Sequence, residues 1–137
     1  MTPATWQSNG RRSILIAERD ERVRDLQRFF LEKAGFNVEF AADGRAAFER
    51  AVETIPDLIV TEILITPVDG LTLCRQLRDN PTTNDIPVVV FSILSAASRA
   101  AEAGAQVFLR KPIVESTFIG AVECLMAAQP TRKADHG

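Results

Sequence analysis

Apolar residues along this chain recur in two alternating rhythms. Five short apolar runs, at residues 13–17, 36–41, 58–62, 86–91 and 107–109, have the length and composition of strands. Between the runs, apolar residues return every three or four positions, which predicts helices. Strands that alternate with helices need crossover connections, so they lie parallel and carry helices on both faces of the sheet. The pattern therefore predicts an α/β fold, a doubly wound (βα)5 domain with a five-stranded parallel sheet.

The arrangement of the apolar residues also predicts how each element faces the core. The second run alternates Phe36, Val38 and Phe40 with polar residues, which predicts a strand at the edge of the sheet. Apolar residues at helical spacing predict which side of each helix faces the core. For the first, second, third and fifth helices these are, in turn, Val23, Leu26, Phe30 and Ala34; Ala47, Phe48, Ala51 and Val52; Leu73, Cys74 and Leu77; and Val114, Phe118, Val122 and Leu125. Asp43 is the predicted N-cap of the second helix, and the short, Ala-rich fourth helix ends at Gly104.

Polar residues stand where four of the predicted strands end. They are Glu18 with its neighbours Arg19 and Asp20, then Glu62, Ser92 and Lys111. Taken alone, Glu62 is explained equally well as the point where the central strand meets water. In an open α/β sheet, however, the carboxyl ends of the strands border one crevice. Because side chains from four separate segments converge there, we interpret Glu62 as a functional position.

The composition limits the functions open to the chain. Its 137 residues suffice for one domain, which we place at 13–128, between a flexible leader at 1–12 and a disordered tail at 129–137. The net charge is −2 and long blocks of Lys or Arg are missing, so direct binding of nucleic acid is not expected. No apolar stretch approaches the ~18 residues of a membrane span, and the N-terminus lacks a signal-peptide core. We therefore expect a cytoplasmic protein that does not contact a membrane.

Histidine and cysteine add little to the candidate chemistry. The only histidine, His136, stands one residue from the C-terminus, which argues against catalysis or metal binding through histidine. Cys74 and Cys124 stand within apolar helical patterns, and we expect both to be buried, reduced thiols.

Several motifs follow one another in the order and spacing of a known family. They are Pro56-Asp57-Leu58-Ile59, Asp69-Gly70, the segment 81–87, Glu102-Ala103-Gly104-Ala105 and Lys111-Pro112. Through them the chain, from Ser13 to about Met126, resembles a response-regulator receiver domain, the phosphoacceptor half of two-component signalling. The resemblance implies a flavodoxin-like sheet with strand order 2-1-3-4-5, and a signalling module instead of an enzyme.

The resemblance also implies roles for the site residues. In receivers a histidine kinase phosphorylates an aspartate after the third strand, two acids after the first strand bind Mg²⁺, and a Ser or Thr and a Lys contact the phosphoryl group. Ser92 and Lys111 match the last two positions. Phe108 stands where the family often has a Tyr or Phe that reports the switch. The peptide bond between Lys111 and Pro112 is expected to be cis, because receivers use that geometry to aim the lysine.

The acidic positions depart from the family pattern. Glu62 replaces the phosphoacceptor aspartate, and Glu18 replaces the first of the two acids. The second acid is replaced by Arg19, and Asp20 comes one place too late to substitute. A guanidinium offers no oxygen ligand and adds positive charge, so we expect the Mg²⁺ site to be lost and no cofactor to be needed. The extra methylene of Glu62 lets its carboxylate reach about as far as the oxygens of an aspartyl phosphate, in bidentate contact with Arg19.

We therefore predict an atypical receiver, or pseudo-receiver, that is independent of phosphorylation and in which Glu62 mimics a phosphorylated aspartate. It is expected to bind a protein partner, or a second copy of the chain, through the face formed by the fourth helix, fifth strand and fifth helix. No segment resembles an output domain, so we expect output to come from another chain. Three alternatives stay open: a working phosphoacceptor that uses Glu62 or Asp20, an enzyme in which Glu18, Glu62 and Lys111 do acid–base work, and an inert scaffold with a Glu62–Arg19 ion pair.

Overall fold

The computed structural model describes residues 10–129 as one alternating series of strands and helices. The elements are β1 (Ser13–Ala17), α1 (Glu21–Lys33), β2 (Asn37–Ala41), α2 (Gly44–Thr54), β3 (Leu58–Thr61), α3 (Gly70–Asp79), β4 (Val88–Ser92), α4 (Ala97–Ala103), β5 (Val107–Arg110) and α5 (Glu115–Ala127). All strand pairs are parallel, and the order across the sheet is β2-β1-β3-β4-β5. The predicted flavodoxin-like architecture is confirmed. The predicted leader and tail lie mostly outside the described residues.

The core forms two layers, one on each face of the sheet. Successive residues of a strand point to opposite faces, so β1 sends Ile14 and Ile16 to one layer and Leu15 and Ala17 to the other. The first layer is covered by α1 and α5, and the second by α2, α3 and α4. Because helices cover both faces, the central strands β1, β3 and β4 consist almost entirely of buried residues.

Aspartate side chains begin the first three helices. The carboxylates of Asp20, Asp43 and Asp69 each accept hydrogen bonds from backbone N–H groups in the first turn of α1, α2 and α3. They satisfy donors that have no partner within the helix and place negative charge at its positive end. The predicted cap at Asp43 is confirmed. All three caps lie at the carboxyl edge of the sheet, where they fix the loops that carry the candidate site.

The buried side of α1 differs from the prediction. Leu26 is 44% exposed, whereas Gln27 and Leu31 are fully buried. The N–H and carbonyl groups of the Gln27 amide have no hydrogen-bond partner among residues 10–129. Residues 26 and 27 are separated by about 100° around the helix axis, so a small rotation against the sheet decides which one points inward.

The two cysteines also differ from each other. Cys74 lies buried in α3 as predicted, and burial raises the pKa of its thiol to about 11. Cys124 is exposed on α5, so the prediction that it is buried was wrong. Within the described part of the chain, no helix has the length and apolar character needed to cross a membrane.

Candidate functional site

Loops from four strands bring the candidate side chains to one edge of the sheet. Glu18 follows β1, Glu62 follows β3, Ser92 ends β4 and Lys111 follows β5. Backbone bonds extend the ladder into these loops: Glu62 N–H donates to the Ala17 carbonyl (3.0 Å) and Lys111 N–H donates to the Ser92 carbonyl (2.9 Å). The predicted convergence is therefore present, and the sheet itself holds the backbone on which the side chains stand.

A single ammonium group joins the two acids of the site. Lys111 Nζ lies 2.8 Å from Glu62 Oε1 and 3.1 Å from each carboxylate oxygen of Glu18. The two glutamates are almost completely buried, with 1% of Glu18 and 4% of Glu62 exposed. The same ammonium nitrogen lies 5.6 Å from the centre of the Phe91 ring, over its face. The result is a largely buried cluster with one net negative charge when all three groups are ionised.

Hydrogen bonds reach both oxygens of Glu62. Oε2 accepts from the backbone N–H of Ile63 (2.6 Å) and of Leu64 (3.0 Å), while Oε1 faces Lys111. Ser92 also interacts with this carboxylate and helps to lower its pKa. The Ser92 oxygen in turn accepts from Leu94 N–H at 3.3 Å, which ties the start of the β4–α4 loop to the acid.

The two carboxyl groups respond to this environment in opposite directions. Burial by itself raises the pKa of Glu62, but the hydrogen bonds from Lys111, Ser92 and the Leu64 N–H outweigh it, so the pKa lies below its usual value. Burial also raises the pKa of Glu18. There the Asp20 N–H and Lys111 only partly oppose the effect, and the charge of Glu62 adds to it, so the pKa of Glu18 stays raised.

Lys111 is held charged by its two partners. Burial lowers the pKa of the ammonium group, but the hydrogen bond to Glu62 and the charge of Glu18 more than reverse the effect, so the pKa is raised. The side chain is only 12% exposed. The predicted cis peptide bond between Lys111 and Pro112 is present.

Arg19 does not take the position predicted for it. Its side chain is exposed, and among residues 10–129 no hydrogen bond or ion pair joins it to Glu62. Lys111 supplies the positive charge instead, and it also holds Glu18, a contact that the sequence analysis missed. The signal for that contact was already in the sequence, since two acids and one lysine were predicted to share the crevice.

Asp20 and Phe108 lie away from the acid cluster. The Asp20 carboxylate is engaged at the start of α1, where it accepts from the N–H groups of Arg22 (2.9 Å) and Val23 (3.4 Å). Phe108 lies opposite Val90 in the β4–β5 pair and packs half-buried against the layer that includes Ala96. A phenylalanine has no hydroxyl, so it cannot make a hydrogen bond to Ser92.

The oxygen atoms of the site do not fit the Mg²⁺ ion that the family resemblance implies. Mg²⁺ requires near-octahedral oxygen ligands. Here Glu18 is engaged with Lys111, and Arg19 offers no oxygen. Across residues 10–129, His, Cys, Asp and Glu side chains form no group of three or more that could hold a metal ion.

The sheet is doubly wound, with strand order 2-1-3-4-5. An acid follows β3, a serine ends β4 and a lysine follows β5. This combination of fold and site is that of the receiver class of signalling domains. The family model of the response regulator receiver domain matches residues 14–123. The chain belongs to this family.

Curated relatives place the domain in two-component signalling. The chain is 34% identical over 116 residues to the DNA-binding dual master transcriptional regulator RpaA of Synechocystis sp., across 82% of this chain and 48% of the relative. It is 37% identical over 117 residues to the response regulator PleD of Caulobacter vibrioides, across 83% of this chain and 26% of the relative. The chain thus spans about half the length of the first relative and about a quarter of the second.

Solved structures share the fold closely. The signal receiver domain of a signal transduction histidine kinase from Syntrophus aciditrophicus superposes with a TM-score of 0.80 at 32% identity, covering 85% of this chain and 91% of that one. The chemotaxis protein CheY4 of Vibrio cholerae superposes with a TM-score of 0.78 at 21% identity, covering 84% and 98%. The second likeness is one of fold alone.

Proposed function

We propose that this receiver domain works without phosphorylation, as a protein-binding module whose buried Glu62 permanently takes the place of a phosphorylated aspartate. The observation that carries the proposal is the engagement of both Glu62 oxygens, by Lys111 on one side and by two backbone N–H groups on the other. The lysine that the family uses to contact the phosphoryl group is thus already engaged by a carboxylate, and the serine contributes to lowering the pKa of that carboxylate.

The same engagement disfavours phosphoryl transfer to Glu62. An attacking carboxylate needs a free oxygen in line with the phosphorus, and an error of ~1 Å can cost ~100-fold in rate. Glu62 is 4% exposed, and its position is fixed by hydrogen bonds. The poor fit of the donor atoms to Mg²⁺ removes the charge that normally assists the transfer.

The mimicry is expected to be partial. Glu62 contributes one negative charge, whereas a phosphoryl group carries about 1.5 to 2 at neutral pH. The domain would therefore hold Ser92 and the β4–α4 loop in a state close to the activated one, with a weaker bias. The resulting surface is offered to a protein partner at the face formed by α4, β5 and α5.

The first test replaces Glu62 by Gln, which keeps the shape and removes the charge. We expect the amide resonances of Ser92, Leu94 and the following loop to shift in ¹⁵N NMR spectra, because the charge is lost and one acceptor oxygen becomes an NH₂ group that cannot accept from the surrounding donors. Glu49→Gln, an exposed change on α2, is the matched control and should leave those resonances in place. Unchanged resonances in Glu62→Gln would favour the inert scaffold.

The second arm of the test uses a small phosphodonor. Wild-type protein incubated with radiolabelled acetyl phosphate and Mg²⁺ is expected to take up no label, for the reasons of geometry and metal fit given above. Stable, acid-resistant and base-labile label on the protein would identify a working phosphoacceptor and refute the proposal.

A further inference from the structure

A shallow pocket of about 480 Å³ lies between the first turn of α4 and strand β5. Its volume is within the range of ~300–1,000 Å³ that small-molecule sites occupy. Phe108 is half-buried and lines the pocket together with Ala96 and Ala97. The pocket therefore has an apolar surface that includes an aromatic residue.

The other residues of the pocket are polar or positively charged. They are Ser95, Ser98, Arg99 and Arg110, and all four are exposed. Among residues 10–129, no carboxylate lines the pocket, and none forms an ion pair with either arginine. Arg110 Nη1 donates to the neutral hydroxyl of Ser95, which holds the guanidinium beside the pocket. The remaining N–H groups of that guanidinium can donate to a bound anion.

Each part of the pocket suits a different part of a ligand. A guanidinium group binds two oxygens of a phosphate at once and stays charged at neutral pH. An aromatic side chain stacks on the face of a planar ring, such as a nucleobase. Because Arg99 and Arg110 line the same pocket as Phe108, the pocket fits a molecule that carries both phosphate and a flat ring.

We propose that this pocket binds a free nucleotide, with the phosphates on Arg99 and Arg110 and the base against Phe108. The hydroxyls of Ser95 and Ser98 are further donors to phosphate oxygens. A long nucleic acid does not suit the site, since the chain has a net charge of −2 and lacks a basic stripe. The inference goes beyond the proposed function, because it concerns a small ligand and does not depend on Glu62.

The first experiment titrates the ¹⁵N-labelled full chain with ATP and, in a second series, with GTP, without added metal ions. Adenosine and inorganic tripolyphosphate are the matched probes, since each carries one half of ATP. We expect a nucleotide to shift the amide resonances of residues 95–99 and 107–110 saturably. Each half of ATP should bind about tenfold more weakly or worse, because it engages only the aromatic or only the cationic part of the pocket.

Variants separate the two kinds of contact. Arg99→Gln with Arg110→Gln should weaken nucleotide binding by about tenfold or more, because the phosphates lose both charged partners. The matched change Arg45→Gln, exposed on α2, should alter binding by less than about twofold. Phe108→Leu keeps an apolar side chain but removes the ring, so it should weaken the binding of ATP and leave that of tripolyphosphate unchanged.

Four results would overturn the proposal. They are the lack of saturable binding of either nucleotide at millimolar concentration, resonance shifts that map away from the pocket, binding of adenosine as tight as that of ATP, and equally tight binding of tripolyphosphate, which would show an anion site only. The comparison of ATP with its two halves uses the wild-type chain, so it decides the question even where a variant does not fold.

Discussion

The carboxylates of Glu18 and Glu62 share one ammonium group, that of Lys111, at the carboxyl edge of the sheet. Glu62 receives the shorter contact from Lys111 and two backbone donors, whereas Glu18 receives one backbone bond, from Asp20 N–H. Both acids are buried, so the one with fewer donors bears more of the desolvation cost. Glu18 is therefore the first of the pair to take up a proton as the pH falls.

This asymmetry predicts a pH effect that can be measured by substitution. The carboxyl group of Glu18 has a higher pKa in the folded protein than the usual value of 4.5. Its protonated form therefore favours the folded state at low pH, and this stabilisation is lost as the pH rises through the pKa of the folded protein. Relative to Glu18→Gln, the wild-type protein should therefore lose free energy of unfolding as the pH is raised from about 4 toward neutrality. Urea unfolding at a series of pH values measures the difference between the two proteins.

Glu123→Gln, on the exposed side of α5, should follow the wild-type profile at every pH. A difference between wild type and Glu18→Gln that stays constant with pH, or that changes in the opposite direction, would contradict the assigned protonation of Glu18.

At the scale of the elements, the N-termini of α2 and α3 lie in close contact with the loop that carries Glu62. A Cβ atom on Gly70, at the start of α3, would lie 2.1 Å from the carbonyl oxygen of Glu62. A Cβ atom on Gly44, at the start of α2, would lie 2.1 Å from the carbonyl oxygen of Val68 in the same loop. Both contacts are with backbone, so neither could be relieved by turning a side chain. The first residues of α2 and α3 thus leave the β3–α3 loop no room to move toward them.

Gly70→Ala is therefore expected to lower the free energy of unfolding by about 1–3 kcal/mol or more, since the added methyl group must displace the Glu62 backbone. The displacement should also shift the amide resonances of Ile63 and Leu64, which donate to the Glu62 carboxylate. Denaturant unfolding and ¹⁵N NMR provide the two measurements.

The same substitution at Gly120 offers a matched control within a helix. A Cβ atom there would meet nothing within 4 Å, and the residue is exposed in the interior of α5. Gly120→Ala should therefore raise the free energy of unfolding by about 0.5–1 kcal/mol, as expected from helix propensity alone. A stable Gly70→Ala protein with unshifted site resonances would show that α3 does not position Glu62.

At the scale of the whole molecule, the fold is that of a receiver, and the proposed difference from the family's chemistry rests on a few side chains. From the family resemblance we expect Ser92 and Lys111 to match the family pattern and Glu18, Arg19 and Glu62 to depart from it. Because Arg19 is exposed, replacing it is not expected to disturb the core.

Arg19→Asp combined with Glu62→Asp should therefore create a receiver that binds Mg²⁺ saturably and takes label from acetyl phosphate. The two changes supply a second oxygen ligand and retract the carboxylate by one methylene. Calorimetric titration with Mg²⁺ and radiolabel uptake test the double variant. Glu62→Asp alone, which keeps Arg19, is the control and should do neither to a comparable extent. Equal activity of the single variant would show that Arg19 does not prevent metal binding.

The alternation of apolar and polar residues along the chain was enough to predict the fold class and the residues that share the site. Strands that alternate with helices leave parallel pairing with right-handed crossovers as the consistent arrangement, and parallel strands bring their carboxyl ends to one edge. Because all four residues follow or end strands, this arrangement predicts that Glu18, Glu62, Ser92 and Lys111 lie close together. It also placed β2 at the edge of the sheet, because its polar residues alternate with its apolar ones.

The pairing of the charged side chains depends on the three-dimensional packing. Adjacent residues of an extended segment point in opposite directions, so the turn that buries Glu18 leaves Arg19 in solvent and Lys111 becomes the partner of both acids. The choice between Leu26 and Gln27 on α1 likewise depends on how the helix rotates against the sheet. The pairing of Arg110 with Ser95 joins residues 15 positions apart through the packing of α4 beside β5. Such contacts depend on side-chain direction and burial, which the spacing of residue types does not encode.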